Sequence, residues 1–320
     1  MKSLEDIQRL ILEDLECFYQ TNDQHSLVIP IHYLLKIGGK RMRPALFLLS
    51  HQLFSSDLTA ARNAALAIEV FHNFTLMHDD IMDNAPLRRG QATVHKKFNT
   101  NKAILSGDAM LIQAYQLLMS HPCQNQIQLI HCFNQHAMEV CEGQELDMNF
   151  ETRNDVSLVE YIEMIRLKTA VLIGGAMKMG ALYAGAKPED QEHLYKCGEE
   201  MGIAFQLLDD YLDAFGSPEQ VGKQLGGDIM ADKKTFLRIQ LYQKATQDEL
   251  AVLQNKEQDP QEKVTETLEL LRKYQVDLAI LDLAKKYSDS AIAHLAAVGV
   301  NPEYKAPLLK VITQLLNRTS

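Results

Sequence analysis

The chain has 320 residues, 46% hydrophobic and 23% charged, which is typical of a globular protein with a substantial core. Its formal net charge of −10 argues against nucleic-acid binding, which needs a basic surface. The five cysteines lack the spacing of a metal site or a disulfide framework. The acidic, amphipathic N-terminus does not resemble a signal peptide, and no apolar run reaches the length of a membrane-spanning helix. We therefore expect a cytoplasmic protein.

Low glycine and proline contents and helical periodicity predict an all-α fold. Asp57 or Thr59 is a candidate cap for a long, mostly buried helix over 60–83. Further along the chain, Ser157 and Glu160 have capping-box spacing, and Pro188 suits a first helical turn. The remaining helical patterns cover 237–245, 263–275, 278–299 and 306–318, and the predicted loops are 21–28, 84–93 and 216–234. Because no linker or low-complexity tract divides the chain, we predict one domain over 1–320.

Two acidic clusters follow strongly apolar helical runs. They are DDIMD, with Asp79, Asp80 and Asp83, and DDYLD, with Asp209, Asp210 and Asp213. Because positions i and i+4 share one face of a helix, each cluster projects its carboxylates from a single turn. At a helix C-terminus these charges oppose the macrodipole and repel one another, so a cationic partner is needed. Hard oxygen ligands of this kind predict Mg²⁺ together with substrate phosphates.

Basic residues lie close in sequence to both clusters and are candidates for binding diphosphate. Arginine suits planar, multidentate recognition of phosphate oxygens, whereas lysine provides a movable point charge. The candidates are Lys40, Arg41 and Arg43 in GGKRMRP, Arg88 and Arg89, Lys168 in RLKTA, and Lys223, Lys233 and Lys234. His72 lies about two turns before Asp79 on the same helix face, so we expect it to contact phosphate as well.

These motifs occur in the order seen in the trans-isoprenyl diphosphate synthases, also called polyprenyl synthetases, and the chain resembles that family over nearly its whole length. The matching segments are GGKRMRP, FHNFTLMHDDIMDNAPLRRG, SGDAML, EGQELDM, LKTA, FQLLDDYLD and GKQLGGDIMADKKT. The resemblance implies the isoprenoid synthase fold: one bundle of mostly antiparallel helices around a deep central cavity, usually as a homodimer. It also implies a Mg²⁺-dependent prenyltransferase that condenses isopentenyl diphosphate with allylic diphosphates.

The resemblance also implies roles for individual residues. Asp79 and Asp83 would bind two Mg²⁺ ions and Asp209 a third, with Asp80 and Asp210 completing the catalytic clusters. The allylic diphosphate would be held by Arg88, Lys168, Lys223 and Lys233, with Gln206 nearby. Isopentenyl diphosphate would be held by Lys40, Arg43, His72 and Arg89. Thr169 and Gln206 are candidate dipoles facing the allylic cation. One departure is Asp232, which stands where the family often has glycine before the lysine.

Three residues upstream of the first cluster are candidates for setting product length. Phe74 lies five residues before Asp79, about 7.5 Å along the helix, so its ring is expected to limit the growing chain. Phe71, about one turn further, is either a second barrier or simply a core residue. An aromatic residue at Phe74, with Thr75 beside it, resembles synthases that make geranylgeranyl rather than farnesyl diphosphate. We therefore favour a twenty-carbon product.

Two alternatives share part of this pattern. A class I terpene cyclase also ionises a diphosphate, but the second cluster here is a full DDYLD, and a second diphosphate site is predicted. A non-catalytic partner subunit of a related synthase is expected to lack one cluster or its basic residues, and none is missing in this sequence.

Overall fold

A computed structural model describes residues 1–20, 26–216, 226–254 and 259–316. Within them the regular secondary structure is almost entirely helical, which confirms the all-α prediction. None of the helices in these ranges is long and apolar enough to cross a membrane. The helices up to the first aspartate cluster are α1 (Leu4–Gln20), α2 (Val28–Lys36), α3 (Met42–His51) and α4 (Ala61–Met82). Those that follow are α5 (Val94–Lys97), α6 (Thr100–Met119), α7 (Gln126–Thr152), α8 (Leu158–Ile165), α9 (Val171–Tyr183), α10 (Pro188–Phe215), α11 (Gly227–Met230), α12 (Phe236–Lys244), α13 (Gln247–Leu253), α14 (Pro260–Lys273), α15 (Val276–Ala297) and α16 (Pro302–Leu316).

The chain divides into two compact units. Unit 1 contains Met1–Asn134, Gly175–Tyr195 and Val298–Leu308, within the described ranges. Its centre is α4, which packs against α3 and α6 and buries an almost continuous apolar surface. Unit 2 contains the described residues of Gln135–Gly174, Lys196–Ala297 and Leu309–Ser320. In unit 2, α12 packs against α8, α14 and α15. The single domain over 1–320 stays a prediction.

Local capping chemistry explains where several helices begin. Ser157 accepts the backbone N–H of Glu160, whose carboxylate returns a hydrogen bond to Ser157, so the predicted capping box is confirmed. Pro188 opens α10, also as predicted. The predicted cap for α4 was wrong: Ala60 precedes the helix, and Asp57 instead accepts the backbone N–H of Thr59 in a short turn.

Besides the short helix α11 (Gly227–Met230), which lies in the predicted loop 216–234, the sequence patterns missed two elements of other kinds, a hairpin and a π-helical turn. The predicted loop 84–93 contains a hairpin in which β1 (Leu87–Arg88) pairs antiparallel with β2 (Gln91–Ala92). Its turn has positive φ at both central residues, 50° at Arg89 and 76° at Gly90, as the tightest hairpin turns require. The second missed element is a π-helical turn, Arg166–Ala170, between α8 and α9.

Candidate active site

The first aspartate cluster stands at the C-terminal end of α4, and its three carboxylates have different environments. Asp83 is the C-cap residue and is exposed, whereas the side chain of Asp80 is only 1% exposed. Asp79 is intermediate between the two. Burial raises the pKa of Asp80, although hydrogen bonds from Arg88 oppose the rise. Asp79 and Asp83 are therefore the accessible members, and Asp80 is the inward-facing one.

Arg88 reaches this cluster from the hairpin. Its Nε lies 2.9 Å from each carboxylate oxygen of Asp80, and its Nη2 lies 3.3 Å from Oδ2 of Asp79. The hairpin is held in place by the Tyr33 hydroxyl, which donates to the carbonyl of Ala92 at 2.7 Å. Arg88 thus compensates the negative charge that gathers at the negative end of the α4 dipole.

A second group of cations lies around the N-terminal end of α3. Nη1 of Arg43 donates to Nε2 of His72 at 3.1 Å. Burial and the neighbouring Arg43 lower the pKa of His72 well below its usual value, so the imidazole is neutral. Because a guanidinium only donates, the remaining proton of His72 belongs on Nδ1. Arg89 lies against Gly39, beside Lys40, since a Cβ on Gly39 would stand 2.7 Å from Nη1 of Arg89. The structure therefore gathers Lys40, Arg43, His72 and Arg89 in unit 1.

Arg41 was grouped with these cations from the sequence, and that grouping was wrong. Its side chain is buried and forms an ion pair with Glu69, with 2.5 Å between Nη1 and Oε1. Arg41 adopts a left-handed backbone conformation, whereas Arg43 falls in the first turn of α3. Although Arg41 and Arg43 are only two residues apart, their side chains therefore have different surroundings. Arg41 is buried and paired with Glu69, whereas Arg43 contacts His72.

The second aspartate cluster stands in the last two turns of α10, in unit 2. Asp210 is 6% exposed and accepts hydrogen bonds from the Tyr161 hydroxyl at 2.5 Å and from Nε2 of Gln206 at 3.2 Å. Burial, together with the charges of Asp228 and Asp209, raises the pKa of Asp210 to about 7. Asp209 is exposed. As in the first cluster, the first aspartate is accessible and the second is held inward.

Asp213 stabilises the segment that follows the cluster. Its Oδ2 accepts the backbone N–H of Asp228 at 2.9 Å, and its carbonyl accepts the N–H of Gly226 at 2.7 Å. Lys233 lies 3.4 Å from Oδ1 of Asp228. The predicted contact Lys223 lies outside the described residues. Asp213, the last aspartate of the cluster, is thus hydrogen-bonded to the backbone of the next segment.

The π-helical turn carries Lys168 and Thr169. Two glycines on neighbouring helices allow this wider turn to fit: a Cβ on Gly143 of α7 would lie 2.2 Å from the Lys168 nitrogen, and one on Gly202 of α10 would lie 2.6 Å from Cα of Ala170. Nζ of Lys168 forms an ion pair with Asp147, and Thr169 donates to Oε1 of Gln206 at 3.4 Å. π-Helical turns of this kind are frequent at functional sites.

Asp232, the residue that departs from the family pattern, has φ of 53°. That conformation explains why glycine suits this position. The aspartate carboxylate is neutralised locally, because Nε of Arg238 lies 2.9 Å from Oδ1 and Nη2 lies 3.2 Å from Oδ2. Nζ of Lys234 adds a hydrogen bond to the Asp232 carbonyl at 3.1 Å. Lys234 and Arg238 therefore keep the extra charge from acting freely on a ligand.

Three side chains below the first cluster form an aromatic row on one face of α4. The rings of Phe71 and Phe74 are 5.6 Å apart, and those of Phe74 and His78 are 4.8 Å apart. Phe71 is fully buried and also contacts Phe133, with 5.2 Å between ring centroids. Phe74 is half-buried. Thr75 donates to the carbonyl of His72 at 2.8 Å within the helix. Phe74 is thus the more accessible ring, backed by Phe71.

Several site residues escaped the sequence analysis. Tyr161 and Glu69 carry no motif and meet their partners only through folding, since Tyr161 is 49 residues from Asp210. Asp147 and Asp228 lie within the family segments EGQELDM and GKQLGGDIMADKKT, but nothing in their spacing indicated their pairs with Lys168 and Lys233.

The donor groups of both clusters fit Mg²⁺. The accessible carboxylates are Asp79, Asp83 and Asp209, which are hard oxygen ligands. Within the described ranges no three metal-binding side chains form a ready-made cage. This suits Mg²⁺, which usually takes one or two protein carboxylates and completes its shell with waters and substrate phosphates. The ion pair between Arg88 and Asp79 also shows that the first cluster already attracts a cation.

Comparisons with known proteins point to one family. The polyprenyl synthetase family model matches residues 24–273. The chain is 36% identical to the geranylgeranyl diphosphate synthase of Sulfolobus acidocaldarius, over 96% of this chain and 95% of that protein. It is 37% identical to a geranylfarnesyl diphosphate synthase of Aeropyrum pernix, over 69% of this chain and 72% of that protein.

Solved structures agree with the sequence comparison. A crystal structure of a geranylgeranyl pyrophosphate synthase superimposes with a TM-score of 0.93 at 43% identity, with both chains fully covered. A geranylgeranyl pyrophosphate synthase from Corynebacterium glutamicum, complexed with isoprenyl diphosphate and magnesium, gives a TM-score of 0.85 at 26% identity, with 98% of each chain covered. The all-α architecture is that of the isoprenoid synthase fold.

Proposed function

Because this chain belongs to the polyprenyl synthetase family and is a trans-prenyltransferase, we propose that it extends allylic diphosphates with isopentenyl diphosphate and releases mainly geranylgeranyl diphosphate. The observation that carries the proposed reaction is the pair of aspartate clusters at helix C-termini, each with an accessible and a buried carboxylate and with cations close by. The proposed product length depends on the ring of Phe74, which is expected to limit the growing chain. The similarity to geranylgeranyl diphosphate synthases supports it, although a geranylfarnesyl synthase is also among the relatives.

The allylic diphosphate is assigned to the two clusters and their cations. In this proposal Asp79 and Asp83 hold two Mg²⁺ ions and Asp209 holds a third. The diphosphate contacts are Arg88, Lys168, Lys223 and Lys233, with Gln206 nearby. The structure supports the choice of cations, because Arg88, Lys168 and Lys233 each already pair with a carboxylate, namely Asp79 and Asp80, Asp147, and Asp228. An incoming diphosphate would take over ion pairs of this kind.

Isopentenyl diphosphate is assigned to Lys40, Arg43, His72 and Arg89. The contact between Arg43 and neutral His72 supports this assignment, because it orients the guanidinium without placing a second positive charge beside it. Arg89 holds a left-handed conformation in the hairpin turn. Such strained backbone is common where a side chain must point at a ligand.

In the reaction, bound Mg²⁺ supplies charge neutralisation and Lewis-acid assistance to the departing diphosphate. The protein contributes fixed cations that favour the charge developing on that group, a preorganised arrangement that needs little rearrangement during ionisation. Gln206 is fixed in one orientation, since its amide donates to Asp210 and its carbonyl accepts from Thr169. Its carbonyl and the Thr169 hydroxyl are the proposed dipoles for the allylic cation. The released diphosphate is the proposed proton acceptor.

We further propose that the enzyme acts as a homodimer in the cytoplasm. Leu105, Ile112 and Met119 are exposed at seven-residue spacing along α6, which places three large apolar side chains on one face. The five cysteines, all within described ranges, form no disulfide, which suits a reducing compartment. Light scattering of the purified chain would distinguish a dimer of about twice 36.2 kDa from a monomer.

Product analysis tests the proposed function. The purified chain is incubated with isopentenyl diphosphate, Mg²⁺ and a five-, ten- or fifteen-carbon allylic diphosphate, and the dephosphorylated products are separated by chromatography. We expect mainly geranylgeraniol. Cyclised hydrocarbon from geranyl diphosphate alone would instead indicate a terpene cyclase, and no turnover by the purified chain would indicate a non-catalytic partner subunit.

Phe74→Ala tests the proposed floor of the cavity. Removing the half-buried ring should shift products towards chains longer than twenty carbons. Phe71→Leu distinguishes the two roles open to Phe71: for a fully buried core residue the replacement should lower stability more than it changes product length, whereas a shift to longer products would make it a second barrier. An unchanged product distribution in Phe74→Ala would remove Phe74 as the length determinant.

A further inference from the structure

The loop between α2 and α3 has an unusual backbone. Gly38 and Gly39 have φ of 95° and 146°, and Arg41 has φ of 49°. The left-handed region is unfavourable for a residue with a side chain, so such a conformation persists only when surrounding contacts impose it. Lys40 lies within this loop, and Arg43 follows it in the first turn of α3. The shape of the loop therefore determines the positions of Lys40 and Arg43, two of the proposed contacts of a diphosphate.

Arg41 ties this loop to two helices. Its Nη1 lies 2.5 Å from Oε1 of Glu69 on α4, and its Nη2 donates to the Leu35 carbonyl on α2. Oε1 of Glu69 also accepts Nδ2 of Asn73 at 3.0 Å. Arg41, Glu69 and Asn73 are 6%, 3% and 1% exposed. A buried ion pair with this many fixed partners determines one arrangement of the loop.

The ion pair and the proposed ligand contact are adjacent on α4. Glu69 and His72 are three residues apart, so they are neighbours on one helix face. Glu69 holds Arg41, and His72 contacts Arg43 at 3.1 Å. The same loop supports Arg89, whose guanidinium lies on the backbone of Gly39. From α1, Nε2 of Gln8 donates to the Lys40 carbonyl at 2.7 Å.

Glu69 also offsets repulsion among the cations. Burial and neighbouring arginines lower the pKa of Arg43 and of Arg89, and the negative charge of Glu69 acts in the opposite direction on both. A buried carboxylate at this place therefore helps to keep several positive charges together before substrate arrives.

From this geometry we propose that Arg41 is a positioning residue for isopentenyl diphosphate: its pairing with Glu69 fixes the loop that brings Lys40, Arg43 and Arg89 to one diphosphate. The inference rests on the proposed function, because it assigns that diphosphate to isopentenyl diphosphate. Arg41 itself makes no contact with the substrate.

The test compares single and double variants. Arg41→Met leaves Glu69 buried without its partner and is expected to lower the melting temperature strongly. Arg41→Met/Glu69→Leu removes both charges at similar volume, and such replacements of a buried pair are often neutral for stability. In this folded double variant we expect the KM for isopentenyl diphosphate to rise about tenfold, the equivalent of about 1.4 kcal/mol. The KM for the allylic diphosphate and kcat should change less than about threefold.

Two further variants separate positioning from general stability. Glu69→Gln keeps the size of the side chain but removes the charge that pairs with Arg41, so its KM for isopentenyl diphosphate should rise as in the double variant. Arg62→Met is a matched control, because it removes another ion pair of α4, with Asp14 on α1, away from the loop. It should leave the KM for isopentenyl diphosphate unchanged.

A folded double variant with wild-type KM for isopentenyl diphosphate would overturn the proposal, as would equal increases in KM for both substrates. If the double variant does not fold, Glu69→Gln decides the question: it removes the charge facing Arg41 at nearly constant volume, and an unchanged KM for isopentenyl diphosphate would overturn the proposal. A wild-type enzyme that does not consume isopentenyl diphosphate would refute the proposed function as well.

Discussion

Asparagine in place of Asp210 should stabilise the metal-free protein, and the gain should increase with pH. Asp210 is buried, and burial with the nearby charges of Asp228 and Asp209 raises its pKa from 3.8 to about 7. In the unfolded chain the same carboxyl ionises near its ordinary value. Between these two values the folded protein binds a proton that the unfolded chain has lost. Stability therefore falls as pH rises through this range.

The magnitude follows from the size of the shift. One unit of pKa difference corresponds to about 1.4 kcal/mol, so the raised pKa of Asp210 lowers the free energy of unfolding by about 2 kcal/mol at pH 5 and by about 4 kcal/mol at pH 8. The asparagine side chain would carry no charge at either pH, and its carbonyl can still accept the Tyr161 hydroxyl. Asp210→Asn should therefore exceed the wild type in free energy of unfolding by these amounts.

Urea unfolding followed by circular dichroism, with a chelator present, would measure both proteins at pH 5, 6, 7 and 8. Asp209→Asn is a comparison variant: it removes only the smaller contribution of an exposed neighbouring charge to the pKa of Asp210, so its gain in stability should be smaller than that of Asp210→Asn. The reasoning is refuted if Asp210→Asn is no more stable than the wild type at pH 8, or if its advantage does not grow with pH. The same variant should be poorly active with Mg²⁺, since it lacks one of the proposed catalytic carboxylates.

Two other changes probe the backbone around the second cluster. Gly143→Ala places a Cβ 2.2 Å from the Lys168 nitrogen, so we expect a loss of about 1–3 kcal/mol in the free energy of unfolding. The KM for the allylic diphosphate should also rise. Wild-type values in steady-state kinetics would show that the π-helical turn tolerates the displacement. Asp232→Gly relieves a positive φ but removes the partner of Arg238. Because these effects oppose each other, the free energy of unfolding should change by less than about 1 kcal/mol, and turnover should persist. A large loss of activity would mean that the carboxylate has a role in the site.

Local signals predicted the parts of the fold that depend on neighbouring residues. The capping box at Ser157 and the start of α10 at Pro188 are short-range features, and both were confirmed. The hairpin after the first cluster was missed because its strands have two residues each and its turn uses Arg89 and Gly90 rather than asparagine and glycine. The π-helical turn was missed because RLKTA reads as ordinary helix. Its widening reflects Gly143 and Gly202, which approach from other helices.

The basic motif GGKRMRP illustrates a different limit. Arg41 and Arg43 are equivalent by residue type and nearly so by position, so the sequence offers no reason to separate them. The structure separates them through Glu69, which lies 28 residues from Arg41 and carries no motif. A buried carboxylate inside an apolar helix was nevertheless a usable signal, since a charge in such a place needs a partner. The GGKRMRP segment, rich in cations, was a candidate source.

In both DDxxD clusters the first two aspartates differ in burial in the same way. Asp80 and Asp210 are buried and accept hydrogen bonds from Arg88 and Tyr161, while the preceding aspartate of each cluster is more accessible. The identity of the buried partner gives the clusters different electrostatics. Arg88 brings a full positive charge to Asp80, whereas Asp210 accepts hydrogen bonds from the neutral side chains of Tyr161 and Gln206, and its pKa is raised to about 7. Binding of Mg²⁺ beside the second cluster should therefore favour the ionised form of Asp210 and release its proton.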